Sequence, residues 1–252
     1  MTEQLAVAVL GAAGRMGSEA VKAIDAAADL NLVAALGRED TLDTIVAAGA
    51  QCIVDLSVPD ATFDNVVFAV ERGIHAVVGT TGWDESRLQQ LGSLLADHPT
   101  TGVLIAPNFA VGSVLASAFA ARAAKYFESV EIVELHHPNK VDAPSGTAVR
   151  TANLIAQTRR DAGLPASPDA TTAELDGARG ADVDGVRVHS VRLRGLVAHQ
   201  EVLLGGVGEQ LTIRHDSYHR ESFMPGVLLG VRGVASHPGL TVGLDGYLEL
   251  EA

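Results

Sequence analysis

Residues 5–17 read LAVAVLGAAGRMG, an apolar run that ends in a turn with three glycines. The run Leu5–Leu10 predicts a buried strand, and the stretch after Gly17 has the pattern of a helix. Glycines between a strand and a helix permit a tight turn and a close approach of the backbone to a phosphate. The spacing is GxxGxxG, not the GxGxxG of the usual dinucleotide fingerprint, so a turn that only packs the strand on its helix stays open as an alternative.

Four further apolar runs follow, separated by helical patterns. They lie at residues 32–36, 52–56, 75–78 and 103–105. Buried strands joined by helices are typical of a parallel sheet covered on both faces. We therefore expect an α/β fold with a Rossmann-like, doubly wound parallel sheet, in which a ligand binds beyond the carboxyl ends of the strands.

After Phe109 the pattern changes to that of a second, α+β domain. It predicts a strand and two helices, then a long loop, then strands separated by glycine turns, which indicate a mixed or antiparallel sheet. These elements are a helix over 114–126, a strand over 130–135, a helix over 147–159, a loop over 161–185, and strands over 186–193, 196–204 and 210–213. A last helix over 223–235 and a strand over 240–244 fit either domain.

Composition excludes several classes of protein. The 252 residues are 47% hydrophobic and 19% charged, and the formal charge is −13, which disfavours nucleic acid and acidic membranes as partners. The apolar runs fall well short of the roughly 18 residues that span a bilayer. A single cysteine, Cys52, excludes an intrachain disulfide and suggests a buried core residue. The N-terminus lacks the cationic start and the long apolar core of a secretory signal, so we expect a cytoplasmic protein. The likelier partner is a small molecule.

The densest polar cluster is residues 134–148, ELHHPNKVDAPSGTA. Histidine exchanges protons near neutral pH, so His136 is a candidate acid–base group, and Lys140 is a candidate proton donor four residues later. The chain has fifteen arginines but only three lysines. Because arginine could supply charge alone, the lysine at this position indicates proton chemistry.

Ser145, Gly146 and Thr147 follow and open a predicted helix, where hydroxyls and free N–H groups suit a substrate carboxylate. Adjacent histidines on a strand face opposite ways, and no cysteine or histidine follows at zinc spacing, so we expect no metal site. We expect Ser145-Gly146 also to cap this helix, in addition to any binding role. A purely structural role of the whole cluster stays open.

The end of the second predicted strand reads Gly37-Arg38-Glu39-Asp40. An acidic residue here accepts the ribose hydroxyls in NAD enzymes, whereas an arginine can bind the 2′-phosphate of NADPH. Arg38 therefore favours NADPH at least as much as NADH. Glu39 or Asp40 reaching the ribose, or a merely solvated loop, are the alternatives.

Several motifs together resemble the dihydrodipicolinate reductase family through nearly the whole chain. They are GAAGRMG at 11–17, GTTG at 79–82, APNF at 106–109, the 134–148 segment, RGLVAHQEV at 194–202 and LTIRHDS at 211–217. The resemblance implies reduction of 4-hydroxy-tetrahydrodipicolinate to tetrahydrodipicolinate with NADPH or NADH, in diaminopimelate and lysine biosynthesis. Another two-domain dehydrogenase, acting on aspartate or homoserine, and a non-catalytic dinucleotide-binding redox sensor are the alternatives.

The resemblance also implies roles for particular residues. His136 would be the acid–base group and Lys140 the proton donor, while the substrate carboxylates would lie against His137, Ser145, Gly146 and Thr147. Arg38 would lie near the adenosine ribose. The remaining cofactor contacts would come from Gly11, Ala12, Ala13, Gly14, Arg15, Met16, Gly79, Thr80, Thr81, Ala106, Pro107, Asn108 and Phe109. Many members carry an acidic residue where this chain has Gly37, which puts a simple NADH preference in doubt.

The organisation implied by the resemblance is a homotetramer of two-domain chains. Residues 1–109 and 219–252 would form the dinucleotide-binding domain, to which the C-terminal segment returns. Residues 110–218 would form the substrate-binding and tetramerisation domain.

Overall fold

The structure, a computed structural model, describes residues 4–248 and divides the chain into two compact units. Unit 1 comprises Met1–Val111 and Arg220–Ala252, and unit 2 comprises Gly112–His219. The outermost ends of the expected first domain, residues 1–3 and 249–252, lie outside the described residues.

The described residues form eleven strands and seven α-helices. The strands are β1 (Leu5–Leu10), β2 (Leu30–Leu36), β3 (Cys52–Asp55), β4 (His75–Val78), β5 (Gly102–Ile105), β6 (Ser129–His136), β7 (Ala181–Val183), β8 (Val186–Arg192), β9 (Ala198–Gly206), β10 (Glu209–Ser217) and β11 (Gly239–Val242). The helices are α1 (Gly17–Asp25), α2 (Asp43–Ala47), α3 (Pro59–Val70), α4 (Glu85–Ala96), α5 (Val111–Ala124), α6 (Gly146–Asp161) and α7 (Met224–Gly233). Within residues 4–248, none of the helices is both long and apolar enough to cross a membrane.

Unit 1 contains a six-stranded sheet in the order β11-β5-β4-β3-β1-β2, and all neighbouring strands are parallel. From β1 the chain moves outward to β2 and then returns to place β3 on the other side of β1. The strand order therefore reverses between β1 and β3. In doubly wound sheets, the carboxyl ends of the strands at this reversal form the usual ligand crevice.

Helices cover both faces of this sheet. Apolar residues of α2, α3 and α4 join one face in a single buried cluster. On the opposite face α7 packs so closely that a Cβ added at Gly230 would lie 2.8 Å from Leu104 Cδ2. Cys52 is fully buried in the sheet, and burial raises the pKa of its thiol to about 12, so the expectation of a buried cysteine is confirmed.

Unit 2 contains a five-stranded mixed sheet in the order β10-β9-β6-β8-β7. Strands β6 and β8 are parallel, and the other pairs are antiparallel. α5 and α6 pack on one face through a cluster that includes Ala120, Ile155, Ile132 and Val202. The expected fold class, a Rossmann-like parallel sheet plus a second α+β unit with a mixed sheet, is confirmed.

The expected loop over 161–185 is wrong at its C-terminal end, where β7 pairs with β8 as a hairpin. Asp184 and Gly185 connect the two strands, with φ of 55° and 84°. Positive φ at both central residues belongs to the two-residue turns that match the twist of a hairpin, and Asp-Gly is a preferred pair there. β7 has only three residues, too few to show the alternation of apolar and polar residues that indicates a strand.

Other expected elements also have different boundaries, and three of them are examples. β10 continues to Ser217 rather than ending at 213, because its polar second half pairs with β9 up to Ala198. The helix expected over 223–235 is α7 between two short 3-10 turns, Arg220–Phe223 and Val234–Ser236. The expected last strand, 240–244, is β11, which ends at Val242 and pairs with β5 in unit 1.

Candidate active site

The glycine turn after β1 is shaped by close backbone contacts. Gly11 has a φ of 75°, and a Cβ at this position would lie 2.5 Å from the carbonyl oxygen of Leu56, just beyond β3. A Cβ at Gly17, where α1 begins, would overlap the carbonyl oxygen of Gly11. The turn therefore requires glycine at both ends, and it leads directly into the N-terminus of α1.

A cavity of about 360 Å³ lies in unit 1 at the reversal of strand order. Its lining comes from the turn after β1, through Gly11 and Gly14, from the end of β2, through Gly37 and Arg38, and from Ser57 after β3. Because the glycines and Ser57 have small side chains or none, backbone groups form part of the cavity wall. Arg38 supplies a positive charge. A helix N-terminus, a glycine turn and an arginine fit the phosphates of a dinucleotide.

The turn after β2 also contains Asp40, whose Oδ2 accepts a hydrogen bond of 2.7 Å from the Gly37 N–H. Asp40 is thereby engaged in closing its own turn. Arg38 is exposed and stands between these two residues in the sequence. Arg38 and Asp40 both line the cavity, and with Asp40 engaged at the Gly37 N–H, Arg38 is the positive charge that this loop offers.

Asp55 at the end of β3 has no exposed surface and organises two loops. Its Oδ1 accepts hydrogen bonds from the Ser57 N–H at 2.9 Å, the Ser57 hydroxyl at 2.6 Å and the Thr80 hydroxyl at 2.9 Å. Its Oδ2 accepts from Asn65 Nδ2 at 2.9 Å. Sequence reasoning missed this network, although a carboxylate that ends an apolar strand is a signal for it.

The predicted cofactor contacts after β4 and β5 lie together at the same edge of the sheet. A Cβ at Gly79 would lie 2.7 Å from Phe109 Cε2, so the two loops touch. Phe109 is buried and packs against this glycine, whereas Thr81 and Pro107 are exposed. Asn108 Oδ1 accepts the Ala110 N–H at 2.8 Å and stabilises the second loop.

The histidine–lysine segment, residues 134–148, lies in unit 2 and connects the end of β6 to the start of α6. His136 ends β6, and its Nδ1 is 2.5 Å from Oε2 of the fully buried Glu134. Burial has the largest effect on the pKa of His136 and lowers it. The Glu134 carboxylate acts in the opposite direction, and the positive charges of Lys140 and Arg192 lower this pKa further.

Lys140 and the start of α6 are joined through Asp142. Lys140 Nζ is 2.7 Å from Asp142 Oδ1, and Asp142 Oδ2 accepts the Gly146 N–H at 3.2 Å. Ser145 caps α6 by accepting the Ala148 N–H at 3.2 Å, which confirms the expected cap. The structure therefore brings Lys140 and the N-terminus of α6 into one chain of contacts.

His137 follows β6, and its Nδ1 is buried without a hydrogen-bond partner among the described residues. An unsatisfied buried nitrogen is costly, and a ligand or water can satisfy it. Glu134, Asp142 and Arg192 are the members of this cluster that sequence reasoning did not single out. The two acidic residues lie within the quoted segment, but Arg192 lies on β8, 58 positions from Glu134.

Unit 1 has the fold and glycine turn of a dinucleotide-binding domain, and unit 2 holds histidines, a lysine and a helix N-terminus, which are groups that can exchange protons and contact anions. This combination defines the chain as an oxidoreductase of the two-unit dehydrogenase class.

Two family models match the chain: "Dihydrodipicolinate reductase, N-terminus" over residues 5–109 and "Dihydrodipicolinate reductase, C-terminus" over residues 112–248. The chain belongs to the dihydrodipicolinate reductase family. The resemblance found in the sequence is confirmed.

Relatives named 4-hydroxy-tetrahydrodipicolinate reductase are similar along their whole length. The protein of Streptomyces griseus is 67% identical over 247 residues, covering 98% of this chain and 99% of the relative. That of Nocardia farcinica is 63% identical over 244 residues, covering 97% and 98%.

Solved structures agree with the fold. The dipicolinate-bound dihydrodipicolinate reductase of Paenisporosarcina sp. TG-14 is 39% identical, with a TM-score of 0.86 over 97% of this chain and 100% of that one. A myo-inositol 2-dehydrogenase of Lactobacillus plantarum is 12% identical, with a TM-score of 0.62 over 97% and 93%, and shares the fold alone.

Proposed function

We propose that this chain reduces 4-hydroxy-tetrahydrodipicolinate to tetrahydrodipicolinate with NADPH or NADH, as a step of diaminopimelate and lysine biosynthesis. The observation that carries the proposal is the contact chain from Lys140 through Asp142 to the N-terminus of α6, beside His136. It brings the Lys140 ammonium close to the N-terminus of α6, which supports a proton donor beside an anion-binding helix end. A cyclic substrate with two carboxylates needs both groups.

We assign the dinucleotide to unit 1. The backbone of the turn from Gly11 to Met16 and the N-terminus of α1 would bind the pyrophosphate, with Ala12, Ala13 and Arg15 at the same turn. Two loops would contact the rest of the dinucleotide. They are the loop with Gly79, Thr80 and Thr81 and the loop with Ala106, Pro107, Asn108 and Phe109. When bound, the reduced nicotinamide supplies a hydride to a ring carbon of the substrate.

The loop after β2 bears on the choice between NADPH and NADH. Arg38 would form a charge-assisted contact with the 2′-phosphate, while Asp40 is held by the Gly37 N–H at 2.7 Å. We therefore propose that NADPH is used at least as well as NADH.

We assign the substrate to unit 2. One carboxylate would replace the Asp142 carboxylate at Lys140 and at the Gly146 N–H, with further contacts from Ser145 and Thr147, while His137 would contact the other carboxylate. Lys140 would donate the proton that completes the reduction, and His136 would act as the acid–base group that assists it. Because the substrate carries a hydroxyl group that the product lacks, the reaction also releases one water molecule.

The experiment supplies the purified chain with the condensation product of aspartate semialdehyde and pyruvate and follows the absorbance of NADPH and NADH. We expect both dinucleotides to be oxidised only when the cyclic substrate is present. Dinucleotide binding without oxidation would contradict the proposal and would favour the redox-sensor alternative.

We also propose a homotetramer, on the strength of the family resemblance, and a cytoplasmic location, because the reaction draws on the reduced dinucleotide pool of the cell. Light scattering should give four times the 26.1 kDa of one chain. A monomer mass at micromolar concentration would contradict the tetramer, and activity in the membrane fraction of lysed cells would contradict the location.

A further inference from the structure

A carboxylate occupies a core position of β6. Val130 and Ile132 point towards α5 and α6 and join the buried cluster of unit 2. Side chains of a strand alternate between faces, so Glu134 continues this buried row, and it has no exposed surface. An ionised group in such a place is costly unless it is paired and hydrogen-bonded.

The contacts of Glu134 satisfy both of its oxygens. Oε1 accepts hydrogen bonds from Arg192 at 2.7 Å and from the Ser145 N–H at 3.2 Å. Oε2 accepts from Arg192 at 2.9 Å and lies 2.5 Å from His136 Nδ1. Arg192 stands opposite His136 in the β6–β8 register, so its two nitrogens hold the carboxylate as a bidentate clamp.

The contact with the carboxylate selects one form of the His136 ring. An ionised carboxylate only accepts hydrogen bonds, so Nδ1 must be the nitrogen that carries hydrogen in the neutral ring. Nε2 then carries the lone pair and exchanges the proton. The second contact, to the Ser145 N–H, ties the same carboxylate to the cap of α6.

We propose that Glu134, held by Arg192, is a positioning residue that fixes His136 with Nε2 free for proton exchange and aligns the first turn of α6 for the substrate carboxylate. The inference rests on the proposed function, which assigns His136 and α6 to the reaction. It adds Glu134, a residue with no exposed surface, which acts through His136 and α6.

The charged groups that face His136 are Glu134 on β6, Arg192 on β8 and Lys140 in the loop before α6. The Glu134 contact raises the pKa of His136 against burial and against the two cations. The pKa of Glu134 itself is lowered. Burial, its largest single influence, raises it, and hydrogen bonds from Arg192, Ser190 and His136 together outweigh that influence. These hydrogen bonds therefore favour the ionised form of Glu134, the form that accepts from His136 Nδ1.

The test substitutes Glu134→Gln, which keeps the size of the side chain but adds an N–H donor. One orientation of the amide places that donor against His136 Nδ1–H, and the other keeps an oxygen there but places the donor against those of Arg192 and Ser145. In both orientations the carboxylate charge that holds the Nδ1–H ring is gone. We expect kcat to fall by about 10²–10⁴-fold. The limb of the pH–rate profile that reports His136 should move to lower pH, because the contact that raises its pKa is gone. NADPH binding should be unchanged.

Glu131→Gln is a matched control on the same strand. Glu131 also contacts a histidine, with its Oε2 2.7 Å from His189 Nε2, and an arginine, Arg179, but it lies on the opposite face. We expect this variant to keep the kcat and pH profile of the wild type. An equal loss in both variants would overturn the proposal, because it would show a general effect of charge removal on unit 2.

The ring of His136 in the wild-type chain gives a second test, in which a variant serves only to assign the signal. In ¹⁵N spectra at a pH above the pKa of His136, the ring, identified by its loss in His136→Asn, should carry hydrogen on Nδ1. Hydrogen on Nε2, or a rapidly exchanging mixture, would overturn the proposal. So would a Glu134→Gln variant that melts at lower temperature but keeps the kcat and pH profile of the folded enzyme. An inactive wild type with hydrogen on Nδ1 would instead contradict the proposed function.

Discussion

The substitution Asp142→Asn tests whether the substrate replaces a carboxylate of the chain itself. Asp142 lies 2.7 Å from Lys140 Nζ and accepts the Gly146 N–H at 3.2 Å. Both groups are assigned to the substrate in the proposed function, so a bound carboxylate must displace Asp142 from them. Asparagine keeps the size of the side chain but removes the competing charge. We expect the variant to bind a dicarboxylate more tightly than the wild type.

The size of the effect follows from the exposure of the pair. The side chains of Lys140 and Asp142 are 23% and 47% exposed, so the ion pair is partly screened by solvent. Exposed pairs contribute up to about 1 kcal/mol, which corresponds to about a fivefold decrease in Kd. The chief influence on the pKa of Asp142 is burial, which raises it, but Lys140 and backbone N–H groups lower it overall. The wild-type pair is therefore lost only as the pH falls through this lowered pKa, and there the two proteins should bind equally.

Calorimetric titration with dipicolinate, the ligand bound in the Paenisporosarcina reductase structure, measures this difference at neutral pH. Asp169→Asn is the control, because Asp169 forms a comparable surface ion pair with Arg179 at 3.2 Å outside the segment. Only Asp142→Asn should lower Kd. An unchanged or higher Kd would show that the substrate does not use the groups held by Asp142.

Three further substitutions test other parts of the account. Lys140→Ala should lower kcat by about 10²–10⁴-fold while NADPH still binds, and near-normal turnover would refute its role as proton donor. Arg38→Ala should raise the KM for NADPH much more than that for NADH, whereas equal changes would refute a contact with the 2′-phosphate. Asp55→Ala should lower the free energy of unfolding in urea by about 3 kcal/mol or more, because each buried donor left without an acceptor costs about 1–3 kcal/mol. A loss below about 1 kcal/mol would refute the network around Asp55.

The fold of unit 1 was largely predictable because its signals are local. β1 and β4 have the predicted bounds, Leu5–Leu10 and His75–Val78. The hairpin between β7 and β8 also had a local signal, Asp184-Gly185, which the low hydrophobicity of the preceding loop obscured. The C-terminal half of β10 had no local sequence signal, because its polar residues form a strand only through pairing with β9.

The candidate site was predictable where its residues are close in sequence and not where strands bring distant residues together. His136, Lys140 and Ser145 lie within one polar segment, and their residue types alone indicate the chemistry they can perform. The clamp on Glu134 depends on Arg192 from a neighbouring strand, and the Asp55 network depends on Thr80, 25 positions away. The register of parallel strands creates both clusters, and no spacing in the sequence encodes that register.

Transfer of deuterium from NADPH shows whether this chain performs the reduction itself. The purified chain is given NADPH deuterated at the transferable position, with the condensation product of aspartate semialdehyde and pyruvate, and the product is analysed by mass spectrometry. We expect tetrahydrodipicolinate with one deuterium on a ring carbon, formed at a rate that Lys140→Ala strongly reduces. Product without deuterium, or consumption of NADPH that does not depend on the cyclic substrate, would contradict it.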